Sequence, residues 1–318
     1  MNKFLVCRTD GIGDLLLATP LINELTKAGG DVSVLCGSYA WQVLENNPDV
    51  SEIIIYDPEN PYANLELIKS MDFDAAFVVY PRRQVASLVK KAGIPLRFGS
   101  ANRWYSCFYF NRPVRISRKK NEKHEAEYNL DIAGDIIGER AVLKTFFYPD
   151  EEEKNFGKSY AEGFGGDFIM VYPGGKGSSD NLSAGKYAEL VDEIAGEYTG
   201  KIVLAPGIGE QGLIESVYEK AARKDRIIKT EEVLPLRQFA GLISRAKAFV
   251  SGSTGPMHIA AALDVPVVSF FPGGEGMARR WAPVGKVTAV IQPEKGGNMD
   301  GIDTKAAALE ITRLAETS

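Results

Sequence analysis

The sequence predicts an α/β fold made of two doubly wound parallel sheets, and three observations carry that prediction. Short β-rich runs alternate with helical patterns of about 10–15 residues, the rhythm of parallel strands joined by crossover helices. The alternation halts at an acidic segment, DEEEK at 150–154, and then restarts. The chain has 318 residues, 45% of them hydrophobic and 25% charged, enough to close two cores.

The first half opens with strand KFLVC (3–7) and a helix from Asp14 to about Ala28, stopped by Gly29-Gly30 and kinked at Pro20, which lacks an N–H. Strand DVSVLC (31–36) follows, then a short helix near 39–45 that ends at Asn46-Asn47-Pro48. Next come strand EIIIY (52–56), a helix after Pro61, strand AAFVVY (75–80), a helix over 83–92, strand LRFG (96–99) and a helix over about 124–138. The acidic run lacks apolar periodicity and precedes Gly157 and Gly163, so it reads as a hinge. The expected organisation is a domain over 1–150, a linker over 151–163 and a domain over 164–318, the last helix packing back toward the first domain. Strands of the second half are DFIMVY (167–172), KIVLA (201–205), RIIK (226–229), AFVSG (248–252), VPVVSFF (265–271) and VTAVI (287–291). Its helices cover about 183–198, 210–223, 235–246, 255–263 and 304–316.

Two strand-to-helix turns carry the chemistry. In AFVSGSTGPMHIAAAL (248–263) an apolar strand runs into Gly252-Ser253-Thr254-Gly255 and then an alanine-rich helix. Uncovered N–H groups and the positive end of a helix dipole suit a phosphate there. His258, one of two histidines, falls one turn inside that helix, where it can donate to a phosphate oxygen. In CRTDGIGDLL (7–16) the new helix begins at a carboxylate, Asp14, which repels phosphate and suits a proton acceptor. The same carboxylate can also serve as a helix cap. A turn for an anion and a turn for a base, in separate halves, point to a two-lobed transferase with its ligands at the strand C-termini.

Charge is distributed unevenly. Residues 82–123 hold twelve Lys or Arg against one acid, Glu122, interleaved with aromatic residues, in a chain whose net charge is −5. An anionic partner follows from that contrast: a phosphorylated acceptor or an anionic membrane surface, with no motif for nucleic acid. Cys7, Cys36 and Cys107 are an odd, widely spaced set without a CxxC pair and read as reduced thiols of a cytosolic protein. No apolar run is long enough to span a bilayer, and the apolar stretch before Arg8 is too short for a signal peptide. His124 reads as a surface residue, and the two histidines offer no metal site.

Four segments in order, RTDGIGDLLLATP (8–20), VYPGG (171–175), Gly207–Glu210 as Gly-x-x-Glu, and VSGSTGPMHIAAALDVP (250–266), resemble glycosyltransferase family 9, the ADP-heptose:lipopolysaccharide heptosyltransferases. The resemblance spans essentially the whole chain and implies the GT-B fold, two Rossmann-like domains facing a central cleft. It implies Asp14 as catalytic base, and it places Glu210, Thr254, Gly255 and His258 around a nucleotide-sugar donor, ADP-heptose by that likeness. Beside them, Gly174, Gly175, Lys176 and Ser253 are expected on the donor side, and Gly11, Gly13 and the basic stretch's Arg82, Arg83 and Arg103 on the acceptor side, with no metal and no cofactor. The acceptor it implies is an anionic glycolipid at the cytosolic face of the inner membrane. The chain departs from the family in two places. Asp180-Asn181-Leu182-Ser183 stands where the family has a Lys/Arg-x-Trp-Pro element, and Ser253 stands where it has Asp. Lys176, Arg279 and Arg280 are the nearby cations that would substitute.

Two other readings compete. A GT-B relative that lost donor chemistry with those residues would bind without catalysing. GIGEQG at 207–212, followed by Glu231, matches the dinucleotide fingerprint of an NAD-dependent enzyme, although Pro206 stiffens its turn. Asp72-Phe73-Asp74 resembles a metal-binding DxD but sits among turn residues and reads as structural.

Overall fold

The computed structural model describes residues 2–138, 143–175 and 179–317. The chain divides into two compact units, Met1–Tyr148 and Pro149–Ser318.

In the first unit, β1 (Asn2–Arg8) leads through α1 (Ile12–Leu16) and α2 (Thr19–Lys27) to β2 (Gly30–Gly37). After a 3-10 turn at Trp41–Leu44 come β3 (Glu52–Tyr56), α3 (Leu65–Ser70), β4 (Ala75–Val78), α4 (Arg83–Lys91), β5 (Leu96–Ser100), α5 (Ser106–Tyr109), β6 (Arg112–Val114) and α6 (Glu125–Ile132). The six strands are parallel in the order β3-β2-β1-β4-β5-β6. β1 is central, and Phe4, Leu5, Val6 and Cys7 are all buried, the continuous apolar run of a strand covered on both faces. Cys36 is buried as well, Cys107 is exposed, and all three thiols are free.

The expected single helix over 14–28 is two helices. Pro20, at the second position of α2, has no N–H for the Leu16 carbonyl. The Thr19 hydroxyl bonds that carbonyl instead, at 2.7 Å, so the chain breaks where a kink was expected. The short elements α5 and β6 fall inside the basic stretch, where the sequence offered no periodicity to mark them. Several of that stretch's cations are used internally: Arg97 donates to the carbonyls of Tyr109 and Ile94, and Lys123 pairs with Asp131.

The second unit opens with a helix, not the expected linker: α7 (Glu151–Glu162) is capped by Asp150, which accepts from the Glu153 N–H. The acids that read as a hinge are first-turn residues favoured by the helix dipole. The unit continues β7 (Phe168–Tyr172), α8 (Ala184–Glu197), β8 (Lys201–Leu204), α9 (Gln211–Lys220), β9 (Ile227–Lys229), α10 (Leu236–Ile243), β10 (Ala248–Gly252), α11 (Gly255–Ala262), β11 (Val267–Phe270), α12 (Glu275–Trp281), β12 (Thr288–Ile291) and α13 (Thr304–Glu316). α12 has no counterpart in the sequence reading. Its strand order is β12-β11-β10-β7-β8-β9, again all parallel. α7 packs on α10 so closely that a Cβ on Gly157 would stand 2.0 Å from the Gly241 carbonyl oxygen, and Arg237 pairs with Glu153 across the same contact. The expectation for α13 was packing toward the first domain; the elements that bury Ala307, Ala308, Ile311 and Leu314 are α8 and β10 of its own unit.

In each sheet the chain leaves the first strand in one direction and later returns to its other side. The switch points are therefore β1/β4 and β7/β10, and the crevice outside the strand C-termini at such a point is where doubly wound folds bind ligands.

Candidate active site

At the first switch point β1 ends in Arg8, and Thr9-Asp10-Gly11 turns into α1. Asp14, in the first turn of α1, does two things at once. Its Oδ2 accepts from the Gly11 N–H at 3.2 Å, which is the capping role, and its Oδ1 accepts from Arg8 Nη2 at 2.5 Å. The Asp14 side chain stays 26% exposed, so it is held by the fold yet open to a ligand. Gly11 lies against it, since a Cβ there would come within 3.1 Å of Oδ2. Gly13 is the residue before Asp14 within α1 and gives its carbonyl to the Leu17 N–H.

Arg8 is only 1% exposed. Its Nε donates to Asp10 at 2.7 Å, its Nη1 to Glu125 at 2.8 Å and to Asn129 at 3.1 Å, and its guanidinium lies over the Tyr80 ring. Burial works against its charge, but Asp10, Asp14 and Glu125 together outweigh burial and hold it protonated. Glu125, fully buried at the start of α6, also accepts from Arg118 Nε at 3.0 and 3.1 Å. Burial pushes the Asp10 carboxyl up from its ordinary value, Arg8 pulls it down, and the Asp14 charge pushes it up again. His124 is the α6 N-cap, its Nδ1 accepting from the Ala126 N–H, so it belongs to the fold.

The second switch point joins the turn after β7 to the turn after β10. Gly174 leaves room for the Glu210 side chain, and a Cβ on Gly175 would meet only ordinary contacts. A Cβ on Gly174 would fall on the Glu210 carboxylate, which accepts from the Gly175 N–H at 2.8 Å, and Tyr172 Oη donates to the same carboxylate. Gly175 in turn faces the Thr254 methyl. Thr254 caps α11, its Oγ1 accepting from the Met257 N–H at 3.3 Å. Pro256 has no N–H, so the four open donors expected of this turn reduce to the Thr254 and Gly255 amides at the helix mouth. Ser253 is half-buried beside them, and His258 is buried within α11 at 4% exposure. Lys176 lies outside the described residues.

Asn181 lies in the segment Asp180-Asn181-Leu182-Ser183, which stands where the family has its cationic element. Its Nδ2 donates to the Pro173 carbonyl, its Oδ1 accepts from Tyr187 Oη at 2.8 Å, and a Cβ on Gly252 would strike it. It ties the β7 turn to the β10 turn. Arg279 and Arg280 fall in the last turn of α12, Arg280 over the Trp281 ring. Arg82 caps α4 and lies over the Tyr80 ring, Arg83 lies over Trp104, and Arg103 is exposed.

GIGEQG occupies the turn from β8 into α9, not the turn after the unit's first strand, and the N-cap of α9 is Glu210. A carboxylate at that mouth repels a pyrophosphate, which removes the dinucleotide reading. Asp72 has φ +55° in a turn and Asp74 accepts from the Lys3 N–H, so the DxD look-alike is structural.

Residues 65–300 match the family model described as glycosyltransferase family 9 (heptosyltransferase). The chain belongs to glycosyltransferase family 9. A Haemophilus influenzae protein named only as a glycosyltransferase is 30% identical to this family 9 chain over 312 residues, covering 90% of the chain and 87% of the relative. Escherichia coli ADP-heptose LPS heptosyltransferase II shares the fold with a TM-score of 0.82 at 19% identity, over 100% of this chain and 99% of that one. Escherichia coli heptosyltransferase WaaC, solved with ADP-2-deoxy-2-fluoro heptose, gives 0.74 at 18% identity over 99% and 100%. The two-sheet GT-B fold implied by the sequence is the fold of this family 9 chain.

The sequence reading missed Arg8, Asp10, Glu125 and Asn181. Arg8 gave a signal, because a cation closing the apolar run FLVC must be paired when buried. Glu125 gave none, lying 117 residues away beyond a basic stretch.

Proposed function

We propose that the chain is an inverting, metal-independent glycosyltransferase that moves heptose from an ADP-activated donor to lipopolysaccharide core or a similar anionic glycan. The observation that carries this reading is the opposite chemistry of the two switch-point turns: an arginine-held carboxylate after β1, and main-chain amides at a helix mouth after β10. Asp14 takes the proton of the acceptor hydroxyl as its oxygen bonds the anomeric carbon from the face opposite the leaving group. The bond from that carbon to the diphosphate breaks, and the electron pair leaves on ADP. The amides of Thr254 and Gly255, with the α11 dipole, stabilise that departing charge. Gly174, Gly175, Lys176, Glu210, Ser253 and His258 complete the donor side. Gly11, Gly13, Arg82, Arg83 and Arg103 serve the acceptor side. The nucleotide sugar is a substrate, so no cofactor enters.

The relatives' names support the donor and acceptor, since one contains ADP-heptose LPS heptosyltransferase and another was solved with an ADP-heptose analogue. Among the described residues, no helix is long and apolar enough to cross a membrane. Peripheral attachment to the anionic inner leaflet, through the basic 82–123 surface, is the location this reading assigns.

Calorimetry with ADP, followed by ADP release from ADP-heptose in EDTA, tests the proposal. Micromolar ADP binding and EDTA-insensitive turnover are expected. A chain that binds no nucleotide is the non-catalytic relative instead.

A further inference from the structure

The turn from β4 into α4 has its acceptors occupied and its donors open. The Val79 carbonyl takes Arg118 Nη2 at 3.0 Å, and the Tyr80 carbonyl takes the Arg82 N–H at 2.9 Å. The Pro81 carbonyl takes Tyr105 Oη at 2.6 Å, and the Arg82 carbonyl takes the Ala86 N–H at 3.0 Å. That last bond is the first of the helix, and no side chain caps it, so the Gln84 and Val85 amides stay open at its mouth among the described residues. Two side-chain donors join them. Arg82 Nε is buried without a hydrogen bond among the described residues, and so is the hydroxyl of Tyr56, which ends β3 and is only 3% exposed. Tyr56 shares a core cluster with Val85 and Leu88 of α4, and its hydroxyl end faces Arg82 and Tyr62, the latter bonded to Ser87 of α4 at 3.1 Å. Burial pushes the Tyr56 hydroxyl up from its ordinary value while the Arg82 charge pulls it down, and the net rise keeps its proton available to donate. The nearby acid, Asp57, is exposed and takes the Glu59 N–H. Buried donors without an acceptor are costly, and donors converging on a helix mouth suit an oxyanion. The place bears on the chemistry, because the Tyr80 ring lies 5.7 Å from Arg82 and 5.4 Å from Arg8, the arginine that holds Asp14. We propose that Tyr56, Arg82 and the first-turn amides of α4 bind an oxyanion of the acceptor glycan, a phosphate monoester or a carboxylate, and thereby position that acceptor beside Asp14. The inference rests on reading the β1 side as the acceptor side, and it names the acceptor group recognised there.

The test uses the full chain and three sugars of stated charge, mannose 6-phosphate, glucuronate and uncharged mannose, followed by amide NMR. Mannose 6-phosphate or glucuronate should move the Gln84 and Val85 amide resonances, and mannose should leave them in place. Whichever anionic sugar binds tells a phosphate site from a carboxylate site, and either supports the proposal. Tyr56→Phe should weaken that binding about 3- to 10-fold, and Arg82→Gln about 10-fold or more. Without sugar, Tyr56→Phe should unfold at the parent's temperature or above it, because the variant removes a buried hydroxyl that the fold leaves unbonded. A lowered Tm in Tyr56→Phe would assign that hydroxyl to the fold and overturn the proposal. So would anionic sugars that leave both amides unmoved, or that bind the parent and both variants equally. The outcome is separable from the proposed function, since no donor is present. A chain that takes mannose 6-phosphate at α4 but binds no ADP keeps this site and loses the transferase reading, whereas one that binds ADP but neither anionic sugar loses this site alone.

Discussion

Sequence reasoning set a helix cap against a proton acceptor at Asp14, and the cap is present. Its Oδ2 caps the first helix while its Oδ1 engages Arg8, so the cap and the arginine contact use different oxygens. Asp14→Asn preserves the size and the cap acceptor but removes the basic lone pair. Turnover should drop by about 10²–10⁴-fold, the usual range for a lost general base, with ADP affinity unchanged. Steady-state ADP release and calorimetry on the same sample check both halves. Asp10 makes a prediction of its own sign. Burial raises its carboxyl in the folded chain, so the folded state keeps the proton longer than the unfolded state does. The parent chain therefore loses stability as pH rises through that window, and Asp10→Asn does not. Asp10→Asn should match the parent in Tm near about pH 3 and exceed it near about pH 7. A Tm difference that shrinks as pH rises contradicts the assignment.

At the level of elements, strand and helix identities were legible because both periods were clear. β3 and β10 coincide with EIIIY and AFVSG, and β1 extends KFLVC by one residue at each end. Failures came where a local rule was read with the wrong partner. DEEEK looked like a hinge because its apolar contact is made by glycine, not by a large side chain: Gly157 lies against the Gly241 backbone. The site was half legible for a similar reason. Gly174, Glu210 and Thr254 lie in short motifs, whereas Glu125 joins Arg8 only through tertiary packing. The α7–α10 contact is open to test, since a Cβ on Gly157 meets a backbone carbonyl that cannot rotate away. Gly157→Ala should cost roughly 1–3 kcal/mol, read as a lowered denaturant midpoint at unchanged slope. A midpoint equal to the parent's would mean that the two helices are free to separate.

At the scale of the whole molecule, the basic stretch gains definition from the fold. Arg97, Arg118 and Lys123 are spent on internal bonds, while Trp104 and Phe108 stand 71% and 61% exposed beside Arg83 and Lys90. Exposed rings flanked by cations suit the headgroup layer of an anionic bilayer. Sedimentation with phosphatidylglycerol-containing vesicles should show binding at low salt that weakens as ionic strength rises, and a further loss in W104A/F108A. Attachment indifferent to both salt and these two rings would remove the membrane role from this surface.

The bond between Arg8 and Glu125 also has a consequence for biosynthesis. All six strands of the first sheet are complete by Val114, yet the guanidinium at the end of the first strand meets its buried acid only at position 125. A nascent chain stalled on the ribosome with 114 residues exposed would hold every strand, with Asp10 and Asp14 available to Arg8 but its Nη1 still lacking Glu125 and Asn129, a costly donor to bury unmet. Release of a force-sensitive arrest peptide should accordingly peak after residue 125 has left the exit tunnel.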